Sequence, residues 1–409
     1  MAYDHFPRVW VADMVARGYK GMYAVPLGEA LRRGAITSLF MQSPWGELPA
    51  GGRSAHHQWN EAEQCATYEI YAAQAQSAGD TPLAGIYKRA AHMSLASLQR
   101  WVMPAGEMAI VKNRVNPASG FGFENYSSQS QYNLLPMAML AMAYEHAETT
   151  EAVPEKPTPA DQGGYILPLP ALHKIFANVA GTYLEIDTNA DHNYDATGLI
   201  RIHSKGVSPQ LGPSDSILAS PHYEHPSSSP QTQTTGVGIS WKDGSGAWRR
   251  LGELGGRGLA RTSLRVLQAA SDKIAFDVIY EGRLFGVSRI IEHYTLTAGR
   301  VELKTEIPGY KGPLRYVWPV LADDGAVKSS ITIAKGTVTV SQDNGKTAEA
   351  FSPVGAARLT VDPILYPNHN GWARLGIAEF PANKSGEATL VITPRSNVAG
   401  LTVASRLPR

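Results

Sequence analysis

The spacing of apolar side chains along the chain changes after about residue 148. Before that point, residues 57–76, 81–102 and 126–148 repeat apolar side chains every three to four positions, which is the spacing of amphipathic helices. Pro136 stands inside the third segment and is expected to kink the helix or to mark its true start. Loops rich in glycine and proline separate the segments, so the first part of the chain is predicted to be helical.

The second part alternates apolar and polar residues with a period of two. Runs such as "KIAFDVIYEG" (273–282) and "SSITIAKGTVTVSQD" (329–343) are rich in β-branched residues and contain Gly, Asp or Asn turns. These features predict an α+β multidomain chain, in which a partial α/α toroid is followed by a C-terminal antiparallel β-sandwich. A proline-rich stretch separates the two patterns. The expected boundaries are 1–148 for the toroid, 149–175 for a linker and 176–409 for the sandwich.

A short motif recurs in the helical part. The sequence "PWGEL" (44–48) is echoed by "PAGEM" (104–108), 60 residues later, and each is followed by a loop and a new helix. A repeated unit of helix, turn and returning helix builds an α/α toroid, and the turns of such units converge on one rim. Segments 45–60, 105–114 and 117–133 are therefore predicted to meet at a shared rim.

Charge and composition remove several classes of function. The 37 basic and 36 acidic side chains nearly cancel, so the chain has no overall electrostatic footprint for nucleic acid or an anionic membrane. A single cysteine, Cys65, excludes an intramolecular disulfide and a site built from several cysteines, and its apolar helical surroundings predict a buried, inert thiol. The sequence contains no run of 18 apolar residues, which is the length needed to span a bilayer. The first residues lack the pattern of a signal peptide, so we expect a cytoplasmic protein, or a secreted or periplasmic one if a leader was removed.

The rim segments combine residue types that suit a sugar ring carrying a carboxylate. Aromatic rings cover the apolar face of a sugar, and arginine binds a carboxylate with two parallel hydrogen bonds. The candidates from these segments are Trp45, Glu47, Arg53, His56, His57, Trp59, Asn113, Arg114, Glu124, Tyr126 and Tyr132. In the β part, Arg201 and His203 share one face of a predicted strand, which is more typical of a cleft wall than of a core.

Simpler interpretations of these residues stay open. A histidine at a helix start often caps the helix, and Tyr126 could merely fasten a loop to the following helix. His57 and Glu61 stand one helical turn apart and could ligate a metal, but the sequence offers no third ligand beside them. We therefore predict no cofactor and no metal at the rim, and leave a divalent metal in the β part open.

The stretches "SAHHQW" (54–59) and "FENYSSQSQYN" (123–133) resemble the heparinase II/III-like polysaccharide lyases and related toroid enzymes that act on uronic acids. This resemblance implies that His56 and His57 neutralise a uronic carboxylate. It implies that Tyr126 (or Tyr132) serves as base or acid, and that His203 reaches into the cleft from the β domain. Two departures are visible: no asparagine directly precedes the histidine pair, so that Arg53 or Asn113 must supply the neutraliser, and the helical part is short.

The expected reaction is β-elimination on a uronic-acid-containing glycan. The C5 proton becomes removable only when the C6 carboxylate is neutralised, for which Arg53, His57 and Asn113 are candidates; Tyr126 and His203 would divide the roles of base and acid. A tyrosine base needs a lowered pKa, which the charge of Arg53 would favour.

Two alternative functions remain at this stage. One is a β-glucuronidase-like glycoside hydrolase, which needs paired carboxyl groups; the other is a carbohydrate-binding protein without catalysis. The carboxylates available to a hydrolase at the rim are Glu47, Glu61, Glu107 and Glu124. The expected partner is an acidic oligo- or polysaccharide, with no nucleic acid and no membrane, and a homo-oligomer stays open.

Overall fold

A computed structural model describes residues 2–396, apart from 105, 128–130, 227–228, 230–232, 257–259 and 384. Its helices are α1 (Ala2–Ala16), α2 (Ala24–Met41), α3 (Trp59–Ser77), α4 (Thr81–Gln99), α5 (Gln131–Ala147) and the short α6 (Pro159–Gln162). Helix α3 is the centre of this part, because α1, α4 and α5 all pack against it. Its buried alanines, among them Ala62, Ala66 and Ala72, leave room for the neighbouring helices to approach closely. Pro136 lies inside α5, five positions after its first residue rather than at its start.

The repeated motif forms the same turn twice. In the first copy, the Ser43 amide donates to the Glu47 carbonyl and the Gly46 amide donates to the Ser43 carbonyl. In the second copy, Met103 and Gly106 make the corresponding pair of bonds with Glu107 and Met103. Both glycines have positive φ, 75° and 88°, a conformation that glycine adopts without steric cost. The sequence echo is thus a local structural repeat that follows α2 and α4.

The β part consists of strands that are antiparallel throughout the described pairings. Its strands are β1 (Gly163–Leu169), β2 (Lys174–Val179), β3 (Thr182–Asp187), β4 (Gly198–Ser204), β5 (Gly238–Lys242), β6 (Trp248–Arg250), β7 (Ala260–Ala269), β8 (Lys273–Leu284), β9 (Val287–Thr297), β10 (Arg300–Glu306), β11 (Leu314–Asp323), β12 (Ser330–Ala334), β13 (Thr337–Gln342), β14 (Thr347–Val354), β15 (Arg358–Val361), β16 (Tyr366–Asn368), β17 (Gly371–Phe380) and β18 (Glu387–Ser396).

These strands form three sheets within the described residues. The first has the order β1-β2-β3-β4, the second β12-β13-β14-β18-β10-β9-β8-β7, and the third β15-β17-β11-β5-β6, with β16 paired to β17. The eight-stranded sheet contacts both of the others: β1 and β2 pack on β7, β8 and β9, while β11 packs on β18. One apolar cluster runs through all three sheets, including Leu184, Phe276 and Trp318. The described chain is therefore α+β, with helices followed by stacked antiparallel sheets.

The predicted linker differs from what the structure contains. Residues 149–175 include α6, all of β1 and the first residues of β2. Thr158 caps α6 by accepting a hydrogen bond from the Asp161 amide, and the apolar run after Gly164 then pairs with β2 as the edge strand of its sheet. The prolines suggested a linker, but Pro168 is tolerated because an edge strand does not need every amide as a donor. The β part thus begins earlier than position 176.

Candidate functional site

The three loop segments predicted to share a rim do meet in the structure. His57 forms a β-bridge with Val111, and the Gln58 amide donates to the Ile110 carbonyl at 2.8 Å. The Ser54 amide donates to the Glu124 carboxylate at 2.5 Å, which joins the first segment to the third. The start of α3, the loop after the second turn and the loop before α5 therefore form one surface.

Tyr126 lies at the centre of this surface, with its side chain partly buried. Its hydroxyl contacts the hydroxyl of Ser54. The Arg53 guanidinium lies over its ring, 4.6 Å from the centroid, and the His57 ring lies nearly parallel to it, with centroids 6.2 Å apart. Tyr132 packs at 5.2 Å on the same ring. A phenol, an imidazole and a guanidinium are thus side by side.

The protonation of Tyr126 is opposite to the state that a tyrosine base requires. Burial raises the pKa of Tyr126 above its ordinary value, and the nearby Glu124 carboxylate raises it further. The neighbouring Arg53 does not reverse this shift. The expectation of a lowered pKa is therefore wrong, and the phenol stays protonated near neutral pH. In that form it can donate a proton or a hydrogen bond.

His57 is fully buried and uncharged. Burial, followed by the charge of His369, lowers the pKa of His57 to about 3. Its Nδ1 lies 3.2 Å from the Ala55 carbonyl oxygen, which can only accept, so Nδ1 carries the proton. Among the described residues Nε2 has no hydrogen-bond partner. A neutral imidazole therefore keeps a free lone pair beside Tyr126. Neither histidine caps α3, because no side chain makes a capping hydrogen bond at that helix start.

Arg53 remains accessible at the edge of the same group. Its side chain is 53% exposed, and its Nε lies 3.9 Å from a Glu124 oxygen. The guanidinium also lies 5.7 Å from the centroid of the Tyr3 ring. Ser54, directly after it, has a positive φ of 65°, which is uncommon for a residue with a side chain. Arg53 can therefore contact a ligand while it keeps its place over Tyr126.

His56 points away from this group and joins two residues that the sequence analysis did not select. Its Nε2 lies 3.2 Å from an Asp215 oxygen, and the His369 Nδ1 lies 2.9 Å from the other oxygen of that carboxylate. The two imidazole rings are stacked, with centroids 4.9 Å apart. Burial lowers the pKa of His56 to about 4, and the two histidines hold the pKa of Asp215 well below its usual range. Each of these three side chains offers one atom that could ligate a metal ion. The three atoms lie within 4.8 Å of one another. A substrate-binding role for His56 is not supported, because its ring stacks on His369 and faces the Asp215 carboxylate.

Asp215 and His369 escaped sequence reasoning because each lies far along the chain in a loop. Asp215 follows a Gly-Pro pair between β4 and β5, and His369 occupies the turn between β16 and β17. The sequence contained one signal for His369. In "YPNHNGW" (366–372) this histidine stands between two asparagines, and a glycine and a strand follow. The geometry of such a turn does not require a histidine, so a histidine found there is a candidate for a functional role.

Glu47 belongs to a buried ion network and not to a substrate surface. It accepts hydrogen bonds from Lys112 at 3.0 Å and Gln210 at 2.9 Å, and lies 3.8 Å from Arg201. Lys112 also donates to Glu61 at 2.8 Å, so Glu61 is engaged in the same network. Glu185 extends the network, because one of its carboxylate oxygens lies 3.6 Å from the Arg201 guanidinium and the other lies 3.4 Å from the Lys174 ammonium. Substrate roles for Glu47 and Arg201 are corrected, since both are fully buried.

His203 does not line the rim. It is fully buried, its Nε2 lies 3.1 Å from the Ser214 hydroxyl, and its ring lies 6.3 Å from that of Tyr183. Strand β4 is last in its sheet, and Arg201, on the same strand face as His203, donates to the carbonyl oxygens of Leu48 and Ser214. The strand face that suggested a cleft wall therefore packs against the helical part. The buried contacts of His203 do not support its predicted role as base or acid together with Tyr126.

The remaining predicted residues have structural contacts. Trp59 is buried in the helical core, 5.6 Å from the ring of Phe6, and is not a sugar platform. The Trp45 Nε1 donates to the Ser204 carbonyl at 3.0 Å. Asn113 is buried and donates to the His369 carbonyl at 2.9 Å, while Arg114 pairs with Asp324. Trp45, Asn113 and Arg114 share a cause, because the predicted rim is also the boundary with the β part, whereas Trp59 is covered by α1.

The chain is similar in structure to several enzymes that act on carbohydrates. A heparan sulfate lyase from Pedobacter heparinus aligns with 10% identity and a TM-score of 0.37, over 97% of this chain and 60% of that one. A heparinase III aligns with 9% identity and a TM-score of 0.40, over 98% and 62%. A bacterial glucoamylase in complex with acarbose aligns with 8% identity and a TM-score of 0.31, over 58% and 32%. The chain spans about three fifths of the length of the first two.

Sequence comparison adds no assignment. No protein-family model matches the chain, and no curated protein sequence matches it. Within the described residues, no helix combines the length and the apolar character needed to cross a lipid bilayer.

Proposed function

We propose that the protein is a polysaccharide lyase that cleaves uronic-acid-containing glycans by β-elimination. The observation that carries this proposal is the grouping of the Tyr126 phenol, the His57 imidazole and the Arg53 guanidinium. The resemblance of "SAHHQW" (54–59) and "FENYSSQSQYN" (123–133) to toroid uronate lyases supports it. The proposal includes the expectation that the helical part corresponds to a portion of an α/α toroid, and that the partner is an acidic oligo- or polysaccharide.

Arg53 supplies the first requirement of the reaction, which is a cation for the uronic carboxylate. A carboxylate bound by a guanidinium can delocalise the charge that develops when the C5 proton leaves. The exposed guanidinium can form two parallel hydrogen bonds to that carboxylate. Asn113, another candidate for this role, is engaged with the His369 carbonyl.

His57 and Tyr126 then divide the proton transfers. His57 is fully buried beside the Tyr126 ring, so the substrate must displace that ring to reach the His57 Nε2 atom. Nε2 then takes the C5 proton, the C5 electrons form the C4–C5 double bond, and the C4–O4 bond breaks. The protonated phenol of Tyr126 donates its proton to the leaving O4 oxygen, and solvent restores both groups afterwards. This assignment follows the protons that the two groups carry near neutral pH, because the Tyr126 phenol is protonated and the His57 Nε2 atom has a free lone pair.

The hydrolase alternative lacks a second carboxylate at this group of residues. Glu47 and Glu61 are paired with Lys112 in the interior, and Glu107 lies exposed on the second repeated turn. Among the described residues, Glu124 is the carboxylate placed beside Tyr126. A glycosidase uses two carboxyl groups across the bond that it cleaves, so elimination suits this arrangement better.

The test is an assay with a panel of uronate polysaccharides, such as alginate, heparan sulfate and polyglucuronate. Elimination creates a conjugated 4,5-unsaturated uronate that absorbs in the ultraviolet, whereas hydrolysis creates none. We expect absorbance to rise with at least one substrate, and Tyr126→Phe to reduce the rate by about 10²–10⁴-fold. Tyr144→Phe, on an exposed tyrosine of α5, is the matched control and should retain the wild-type rate.

Two results would contradict the proposal. Release of free uronic acid without a rise in absorbance would favour the hydrolase. Saturable binding of a glycan without turnover would favour the carbohydrate-binding protein.

A further inference from the structure

We propose that a groove at one end of the β part is a second binding site for an acidic glycan, apart from the proposed reaction centre. The groove is a cavity of about 680 Å³ between the β8–β9 turn and the loop that follows β10. Its lining includes Arg283, Phe285, Ser288 and Tyr310. Sites for small ligands typically enclose about 300–1,000 Å³. The class of ligand rests on the proposed function, whereas the groove itself does not.

Hydrogen bonds from strand β5 hold two walls of the groove in place. The Trp241 Nε1 donates to the Phe285 carbonyl at 3.2 Å, which fixes the β8–β9 turn. The Tyr310 hydroxyl accepts a hydrogen bond from the Lys242 amide at 2.9 Å and donates to the Pro313 carbonyl at 3.2 Å. The rings of Phe285 and Tyr310 also pack partly on the main apolar cluster. The groove is therefore formed before a ligand arrives.

Phe285 occupies a backbone position that disfavours a large side chain. Strands β8 and β9 pair as far as Leu284 and Val287, which leaves a two-residue loop between them. Both loop residues, Phe285 and Gly286, have positive φ, 47° and 94°. Such loops prefer asparagine or aspartate followed by glycine. An aromatic residue is strained there, and backbone strain of this kind clusters at functional sites.

A β-bulge beside the turn places Arg283 at the same groove. The register of β8 on β9 shifts between Glu281 and Leu284. Within this bulge, Gly282 and Arg283 stand opposite the single residue Ser288, and all three line the cavity. Bulges re-aim side chains and are frequent beside active sites. The bulge and the strained turn thus bring a guanidinium and an aromatic ring to one cavity.

The lining of the groove is positively charged. Arg283 is exposed, and its guanidinium forms no ion pair or hydrogen bond with the other described residues. None of the described residues that line the cavity is acidic. The Arg249 guanidinium lies over the Phe285 ring, 5.1 Å from its centroid, and is paired with Asp243 at 2.7 Å. Arg283 is therefore available to bind an anionic group beside the Phe285 ring.

This combination of side chains favours a sugar that carries a carboxylate or a sulfate. An aromatic ring covers the apolar face of a sugar, and a guanidinium can form two parallel hydrogen bonds to an anionic group. A neutral sugar would leave the Arg283 guanidinium unused, and a small inorganic anion would leave the Phe285 ring uncovered. An acidic glycan uses both groups.

Strand β11 separates the groove from the boundary with the helical part. Its first residue, Leu314, pairs with Trp241 at the groove end. Just beyond its other end, Asp324 pairs with Arg114 of the helical part. The ten residues of β11 span about 30 Å. A glycan in the groove therefore leaves the Tyr126 group free, and a polymer held there would raise the concentration of substrate at the protein.

The test is electrophoresis of the full chain in native gels that contain alginate, polyglucuronate, heparan sulfate or neutral dextran. The protein carries Arg53→Met, which removes the cation of the proposed reaction centre, so that retardation reports the groove. We expect retardation by at least one acidic glycan and none by dextran; the carboxylate-only polymers and heparan sulfate distinguish the two anions. Adding Arg283→Ser or Phe285→Asn should weaken the affinity by about 10-fold or more. Asparagine suits the positive φ of this turn, so Phe285→Asn should fold.

The matched control is Arg358→Ser, which removes an exposed arginine from β15 and changes the net charge equally. It should be retarded as its parent is. Absence of retardation by every acidic glycan, equal retardation by dextran, or unchanged affinity in both Arg283→Ser and Phe285→Asn would overturn the proposal. Failure of the lyase proposal would instead appear as an absence of ultraviolet absorbance in the wild-type assay, and gel retardation does not depend on that result.

Discussion

The ring of His57 lies nearly parallel to the ring of Tyr126, with centroids 6.2 Å apart and a 14° angle between their planes. This arrangement sets a neutral imidazole beside a protonated phenol, since burial shifts the two pKa values in opposite directions. Two groups whose pKa values are moved apart are suited to act as base and acid in one reaction.

Replacing Arg53 should impair catalysis without unfolding the protein. Arg53→Met removes the cation that would neutralise the uronic carboxylate, so we expect kcat/KM to fall by about 10²–10³-fold. Stability should change by less than about 1 kcal/mol, because the guanidinium is half exposed and its ion pair with Glu124 is long. Initial rates and urea unfolding measure the two effects. Arg261→Met, on an exposed arginine of β7, is the control; equal losses in both variants would refute a specific role for Arg53.

Stability should fall as the pH rises from about 6.5 to 8. Burial raises the pKa of Glu292 and of Glu349 to about 8, above the ordinary value of 4.5. In this window the folded state holds protons that the unfolded state has released, so the free energy of unfolding decreases with pH. The contribution is present in full below about 4.5 and is lost as the pH passes the folded pKa. Each glutamate contributes on the order of 1 kcal/mol per pH unit.

Urea unfolding at several pH values measures this slope. Glu292→Gln keeps the side-chain shape and should flatten the slope, while Glu302→Gln, on an exposed glutamate of β10, should leave it unchanged. An unaltered slope in Glu292→Gln would show that Glu292 is ionised in the folded protein.

Removing Glu47 should destabilise the protein strongly. Glu47→Ala leaves Lys112 and Arg201 buried without one of their counter-charges, and breaking a buried ion pair costs about 3–5 kcal/mol. Glu281→Ala, which breaks an exposed pair with Arg261, should cost no more than about 1 kcal/mol. Urea unfolding compares the two. If Glu47→Ala kept wild-type stability but lost activity, the substrate-binding role expected from the sequence would be restored.

The two copies of the repeated turn should respond differently to the same substitution. A Cβ on Gly46 would lie 2.1 Å from the Met93 carbonyl oxygen, whereas a Cβ on Gly106 would have no described atom within 4 Å. Gly106→Ala should therefore cost only the left-handed conformation, about 1–2 kcal/mol. Gly46→Ala adds a clash with backbone and should lose more stability. Thermal unfolding of the two variants provides the comparison, and equal losses would mean that Met93 moves aside freely.

The rim could be anticipated from the sequence because it depends on local features. The echo of "PWGEL" in "PAGEM" indicated two equivalent turns, and the spacing of "SAHHQW" before an apolar helix located Arg53 and His57 beside each other. Hydrophobic periodicity likewise separated the helical part from the strands. These signals extend over a few residues, so no tertiary information was needed to find them.

What the sequence did not reveal is which side of the rim faces the β part. Arg201 and His203 share a strand face, and a period of two cannot tell whether that face meets solvent or another element. The burial of Trp59 and Glu47 could not be predicted for the same reason, since it depends on neighbours far along the chain. The pairing of His56 with Asp215 and His369 depends on three distant loops meeting, which no local pattern encodes.

Those three loops also fix an order of events during synthesis. His56 emerges early with the helical part, but His369 belongs to one of the last strand pairs to be made. The cluster can therefore assemble only after the sheets that carry its other members have folded. The contact of His56 with His369 therefore cannot form before synthesis has passed residue 369, when most of the described chain has been made.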